Sequence, residues 1–202
     1  MSDKKTEQPV LETWCETATA DEAIVWDRLP ELKLYMDQVL TLLEKELAVA
    51  SEDGDNPVTS SMINNYVKDG VLPRPEKKKY GREHLAYLYI ICMLKSQLPL
   101  PQIARLLEML SPEEPSALYD DFIRQKQVAL ADAVDRIREA GEDPQAKAEL
   151  AMSLALEANA KHLAAGMLMR SLMPNKESEK EAAKIAKKEA KKAAKESEGK
   201  AE

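Results

Sequence analysis

Glycine is scarce in this 202-residue chain, six in all, and aromatic residues make up only 4%, with a single phenylalanine. So little glycine leaves almost no material for a phosphate-cradling loop, and so few rings mean a core built from Leu, Ile, Ala and Met. The two cysteines, Cys15 and Cys92, lie far apart in unlike surroundings, and the two histidines, His84 and His162, sit in separate segments. That pattern argues against a disulfide framework or a Cys/His metal cage. No run approaches the ~20 apolar residues that a membrane span needs, and the start has no apolar stretch of the signal-peptide kind. These absences predict a cytoplasmic protein with no membrane partner, no cofactor, no metal and no evident small-molecule ligand.

Catalytic signatures are missing as well. The sequence holds no His-Glu-x-x-His, Cys-x-x-Cys or Gly-x-Ser-x-Gly motif. The acidic stretch Asp53 to Asn56 lacks the spacing of a twelve-residue calcium loop, and Asp120 and Asp121 read as the charged first turn of a helix. No converging set of chemical groups is legible, so no enzyme is expected. A formal net charge of −7 also excludes a protein that coats nucleic acid with its whole surface. Any anion-binding function must rest on a local patch.

What is present is helical periodicity. Hydrophobic residues reach 44%, enough for a core. Residues 1–28 are polar and acidic and predict a flexible N-terminal segment, with the cluster Ile24, Val25 and Trp26 docking onto the core. Leu32, Tyr35, Met36, Val39, Leu40, Leu43 and Leu47 repeat on one helical face after Pro30, and residues 51–57 are a loop by composition. Residues 83–94 are apolar almost all round, as a buried central helix requires. A short amphipathic helix follows from Leu100 to Leu110, then a helix over 118–140 and an Ala- and Met-rich one over 145–173. The tail from Pro174 is Lys, Glu and Ala with no apolar stripe, so it is expected to be solvated or disordered. The expected organisation is an all-α chain with a core domain over 29–112, a helical pair over 113–173 and a polar tail over 174–202.

The informative stretch lies between Thr59 and Arg105. On a helical wheel Ser61, Asn64, Asn65 and Lys68 share one arc, and Met62, Ile63, Tyr66 and Val67 share the opposite one. A short helix so divided buries one side and offers two amides, a hydroxyl and a cation on the other. An asparagine amide donates and accepts at once, which matches the N6 and N7 edge of adenine in the major groove. Directly afterwards come Lys68, Arg74, Lys77, Lys78, Lys79 and Arg82 against only Asp69 and Glu76, a local +4. Clustered cations of this kind neutralise phosphates and position a reading helix. Tyr80 closes the basic run and is counted with it among the expected DNA contacts.

Residues 63–73 (INNYVKDGVLP) resemble the second helix and turn of MerR-type DNA-binding domains, with Tyr66 on a family tyrosine and Gly70 on the family glycine. Lys78, Lys79 and Tyr80, followed by Leu85, Leu88, Ile91 and Leu94, resemble the wing and the helix after it. Residues 100–107 (LPQIARLL) are similar to the next helix of that family. A closer resemblance is to a bacterial domain family of unknown function with the signature LYMDQVL, MINNYVK and KKKY, here residues 34–40, 62–68 and 77–80, followed by His84 and Leu85. The resemblance covers residues 29 to about 110.

It implies a MerR-like winged helix-turn-helix core and a transcriptional regulator that binds duplex DNA. Asn64 and Asn65 would face base edges, Ser61 and Lys68 would flank them, and Arg74, Lys77, Lys78, Lys79 and Arg82 would meet phosphates. MerR-type proteins also pair through a long C-terminal helix, which implies a homodimer through residues 145–173. The alternative is a protein-interaction module that keeps the fold without using DNA. It is motivated by the acidic net charge and by Asn64 standing where MerR-type domains carry an arginine.

Overall fold

The computed structural model describes residues 7–20, 24–47, 58–110 and 114–173. Among these residues the chain forms seven α-helices and no strand: α1 (Glu7–Ala20), α2 (Met36–Glu46), α3 (Ser60–Lys68), α4 (Arg82–Leu94), α5 (Leu100–Leu110), α6 (Pro115–Ala140) and α7 (Pro144–Leu172). The expected loop over 51–57 and the polar tail over 174–202 lie outside the described residues. No described helix is long and apolar enough to cross a membrane. Contacts group the chain into two units, Met1–Gly166 and Met167–Glu202.

In the first unit α4 is the centre. Leu85 through Cys92 are all buried, as a helix without a polar side must be. α5 and α6 both pack on it, contributing the buried Ile103, Leu107, Tyr119 and Ile123. Burial pushes the Cys92 thiol up to about 11, against the pull of Lys95, so this cysteine is an unreactive core filler. α2 packs on α3, with Val39 and Leu43 buried on one side and Ile63 and Tyr66 on the other. Trp26 meets Tyr119 edge-on at 6.4 Å, and its backbone N–H donates to Asp120 Oδ1 at 2.7 Å. The Trp26 cluster thus docks onto α6.

Two segments differ from their sequence-based expectation. The acidic N-terminal stretch is not flexible throughout, because residues 7–20 form α1. Its Leu11, Trp14, Cys15 and Ala18 pack on Val134 and Ile137 of α6, and small Cys and Ala side chains let the two helices approach. The second difference is the start of α2. Helical periodicity from Leu32 predicts an earlier beginning, yet the helix starts at Met36 and Leu32 is 81% exposed. Residue 34 is held instead in an extended backbone pair with Tyr80, and backbone pairing there overrides the apolar spacing.

α6 and α7 are joined by a tight turn in which Gly141 adopts φ +61°. Arg136 then grips Glu157 with both guanidinium nitrogens, at 3.0 and 2.6 Å, and Ser153 donates to the same carboxylate at 3.3 Å. In the second unit the last turn of α7 buries Met169 and leaves Met167 and Leu168 exposed.

The hydrogen bonds from Arg136, helped by its charge, by Ser153 and by Lys161, hold Glu157 down to about 2. A carboxylate lowered in the folded state stabilises above its ordinary value near 4.5, and this contribution is lost as the pH falls from there toward 2. Urea midpoints measured across this range are therefore expected to fall less steeply in Glu157→Gln than in the parent chain.

Candidate nucleic-acid interface

α3 is nine residues long and capped at both ends. The Thr59 hydroxyl accepts from the Met62 N–H at 3.3 Å, satisfying one of the free amides of the first turn. Gly70 ends the helix at φ +74°, and the Val71 and Leu72 N–H groups turn back to the Tyr66 carbonyl at 2.9 and 3.0 Å. Its faces divide as the wheel predicts. Ile63 and Tyr66 are buried and Met62 and Val67 partly so, whereas Ser61, Asn64, Asn65 and Lys68 are exposed. Burial, with a smaller push from Cys92, raises the Tyr66 hydroxyl above its ordinary value and keeps it neutral.

Past the turn, Glu76 and Lys79 pair across a two-residue connection, closed by the Lys79 N–H donating to the Glu76 carbonyl at 2.9 Å. Lys77 and Lys78 form its tip with φ of +50° and +62°. Positive φ at both central residues is what a hairpin turn matching strand twist demands, and Asn-Gly normally supplies it. Two lysines there hold left-handed backbone at a cost of about 1 kcal/mol or more each.

This strained hairpin is fastened at its base. Leu34 and Tyr80 exchange both backbone hydrogen bonds, each 2.9 Å. Lys33 and Glu76 form an ion pair, which lowers the Glu76 carboxyl. The Lys79 ammonium sits 4.9 Å over the Tyr35 ring, a cation–π contact. Lys79 is thereby engaged with Tyr35, which sequence reasoning placed on the buried face of a helix.

Two further residues expected at the interface serve the fold. Tyr80 is buried, with burial raising its hydroxyl above the ordinary value. Arg82 Nε donates to the Leu29 carbonyl at 3.0 Å, and its Nη2 donates to the Asp27 carbonyl and to Glu31. That guanidinium ties α4 to the segment before α2. The remaining expected residues, Ser61, Asn64, Asn65, Lys68, Arg74, Lys77 and Lys78, are exposed. Among the described residues their side chains make no hydrogen bond or ion pair.

His84 is the contributor that sequence reasoning passed over. It stands at the third position of α4, and its Nδ1 accepts from the Gly81 N–H at 3.2 Å. A side-chain acceptor at this position serving the residue before the helix is the capping-box arrangement, and that spacing after Gly81 was its sequence signal. Elsewhere, an open depression of about 400 Å³ beside α2 is lined by Leu34, Asp37, Gln38, Thr41, Leu42 and Lys45. Its hydroxyl, on Thr41, donates to the Asp37 backbone carbonyl at 3.1 Å. No three His, Cys, Asp or Glu side chains among the described residues cluster as a metal site requires.

Residues 24–122 match the family described as Domain of unknown function (DUF1836). The stretch is a DUF1836 domain. It begins just before Trp26 and ends at Phe122, so it contains α2 to α5, the lysine hairpin and the part of α6 that receives Trp26. The match extends past the region of sequence resemblance at both ends and takes in Trp26 together with Tyr119 and Asp120, which it contacts. No curated protein and no solved structure matches the chain.

The turn chemistry of the domain sets a test. Lys77→Asn combined with Lys78→Gly supplies the residues the backbone prefers, and thermal or urea unfolding should show a gain of about 1 kcal/mol or more. Unchanged or lower stability would mean that the left-handed lysines carry no strain.

Proposed function

We propose that this DUF1836 protein is a DNA-binding transcriptional regulator with a MerR-like winged helix-turn-helix core. In this reading α3 lies in the major groove and the lysine hairpin acts as the wing. The observation that carries it is the pairing of a two-faced helix with a strained basic tip. Asn64 and Asn65 present bidentate amides free of partners among the described residues, suited to adenine edges. Lys77 and Lys78 are held at a turn where lysine is conformationally unfavourable, and strain of this kind concentrates at functional sites. Ser61, Lys68 and Arg74 complete the contact set. Arg82, Tyr80 and Lys79 hold the hairpin.

Binding to a random pool of duplex DNA at ~50 and ~200 mM salt tests the reading. The expected result is salt-sensitive retention and an enriched motif. Lys77→Ala with Lys78→Ala should weaken all sequences alike and reduce the salt slope by about 2. Asn64→Ala should change discrimination at one or two base pairs, worth ~1–3 kcal/mol. No retention at ~50 mM salt would move the function to a protein partner of the same face.

A homodimer through residues 145–173 belongs to the same proposal, since two copies would read two half-sites. Its support in the first unit is an uncovered apolar line on α7. Met152, Leu156 and Leu163 follow at helical spacing and are 63%, 64% and 58% exposed, an arrangement suited to helix pairing. Leu156→Glu with Leu163→Glu should convert a dimer to a monomer in analytical ultracentrifugation and leave the fold intact. A parent chain that sediments as a monomer would remove this part.

A further inference from the structure

Three segments meet at His84. Its Nδ1 accepts from the Gly81 N–H, so in the neutral ring the proton resides on Nε2. That nitrogen is buried, with no partner at full hydrogen-bond geometry among the described residues, and the Arg74 and Pro73 carbonyls lie close to the ring. The imidazole stands edge-on to the Tyr80 ring, 5.6 Å between centroids at 89°. The hairpin ends at Tyr80 and α4 begins at Arg82, so Gly81 is the joint between them, and His84 holds that joint by its amide.

α2 offers an internal comparison. There the residue before the helix is Tyr35, and its N–H donates to Oε1 of Gln38, again three residues on, at 2.9 Å. Glutamine fills this role without titrating. At the hairpin the same role falls to the one common side chain that changes charge near neutrality.

We infer that His84 is a proton-sensitive positioning residue that latches the lysine hairpin to α4, so that protonation releases Gly81 and weakens duplex binding. This rests on the DNA-binding reading above. Protonation places a hydrogen on Nδ1, which abolishes the acceptor and sets two N–H groups against each other. The groups that face the ring come from every neighbouring segment. Burial disfavours the charged form most, and Lys33 before α2 adds to that. The Arg74 and Pro73 carbonyls and Glu83 of α4 oppose it, and the balance lies below the ordinary histidine value. A base lowered in the folded state is fully latched above about 6.5 and loses the latch as the pH falls through its folded value.

The predicted direction opposes simple electrostatics. Acidification makes a chain of net charge −7 more positive, which by itself strengthens phosphate binding. The latch predicts the reverse, by up to about tenfold per pH unit, the limit for one linked proton.

The test compares the full chain with His84→Gln, which keeps an acceptor for Gly81. Duplex affinity is measured at fixed salt from about pH 7.5 to about 5.5. The parent affinity should fall on acidification while that of His84→Gln stays level or rises; identical profiles would overturn the inference. The Gly81 amide resonance provides a second readout and should titrate together with the His84 ring. A Gly81 amide indifferent to that titration sinks the latch. If neither protein binds DNA at pH 7.5, the DNA reading fails and the Gly81 amide alone decides whether the latch exists.

Discussion

Two backbone hydrogen bonds between Leu34 and Tyr80 hold the candidate interface together. They fix the base of a two-residue hairpin against the segment that leads into α2, and the contacts of Glu76 and Lys79 with that segment depend on the register. With Leu34 and Tyr80 paired, Lys33 falls beside Glu76 and Tyr35 falls beneath Lys79. Remove the pair and the lysine tip has only its own strained turn and the His84–Gly81 bond to hold it, and an isolated hairpin is at best marginally stable in water. The same pairing explains why α2 begins late: residue 34 cannot serve a helix and an extended bridge at once.

The division of labour among the basic residues follows from this constraint. Lys33, Lys79 and Arg82 are used internally, to hold an acid, an aromatic ring and a set of carbonyls. Lys68, Arg74, Lys77 and Lys78 are exposed. A local excess of positive charge in an acidic protein is thus partly structural, and only its exposed part is available to a polyanion. In the proposed reading these exposed groups, amides on α3 and ammoniums at the hairpin tip, meet the polyanion.

Much of this was legible in the sequence, for a definite reason in each case. α3 could be read because nine residues divide cleanly into an apolar and a polar arc, and a threonine and a glycine mark its ends. α4 could be read because it is apolar on all sides. α1 could not, although Leu11, Trp14, Cys15 and Ala18 follow helical spacing, because its two buried positions are cysteine and alanine and an acidic surround masks so weak a stripe. The roles of Arg82 and Tyr80 were illegible because their partners lie about fifty residues earlier in the chain, and no local pattern reports a contact so distant. His84 was legible in principle from its place after Gly81, but a single histidine on an apolar helix reads as core.

The measurement that bears most directly on the interface is residue-by-residue mapping by nuclear magnetic resonance as duplex DNA is titrated into the protein at low salt. The account predicts that perturbations concentrate on the side-chain amides of Asn64 and Asn65 and on the backbone of Ser61, Lys68, Lys77 and Lys78. The acidic outer faces of α1 and α2 should stay silent. Perturbations elsewhere, or none in the presence of excess DNA, would contradict it.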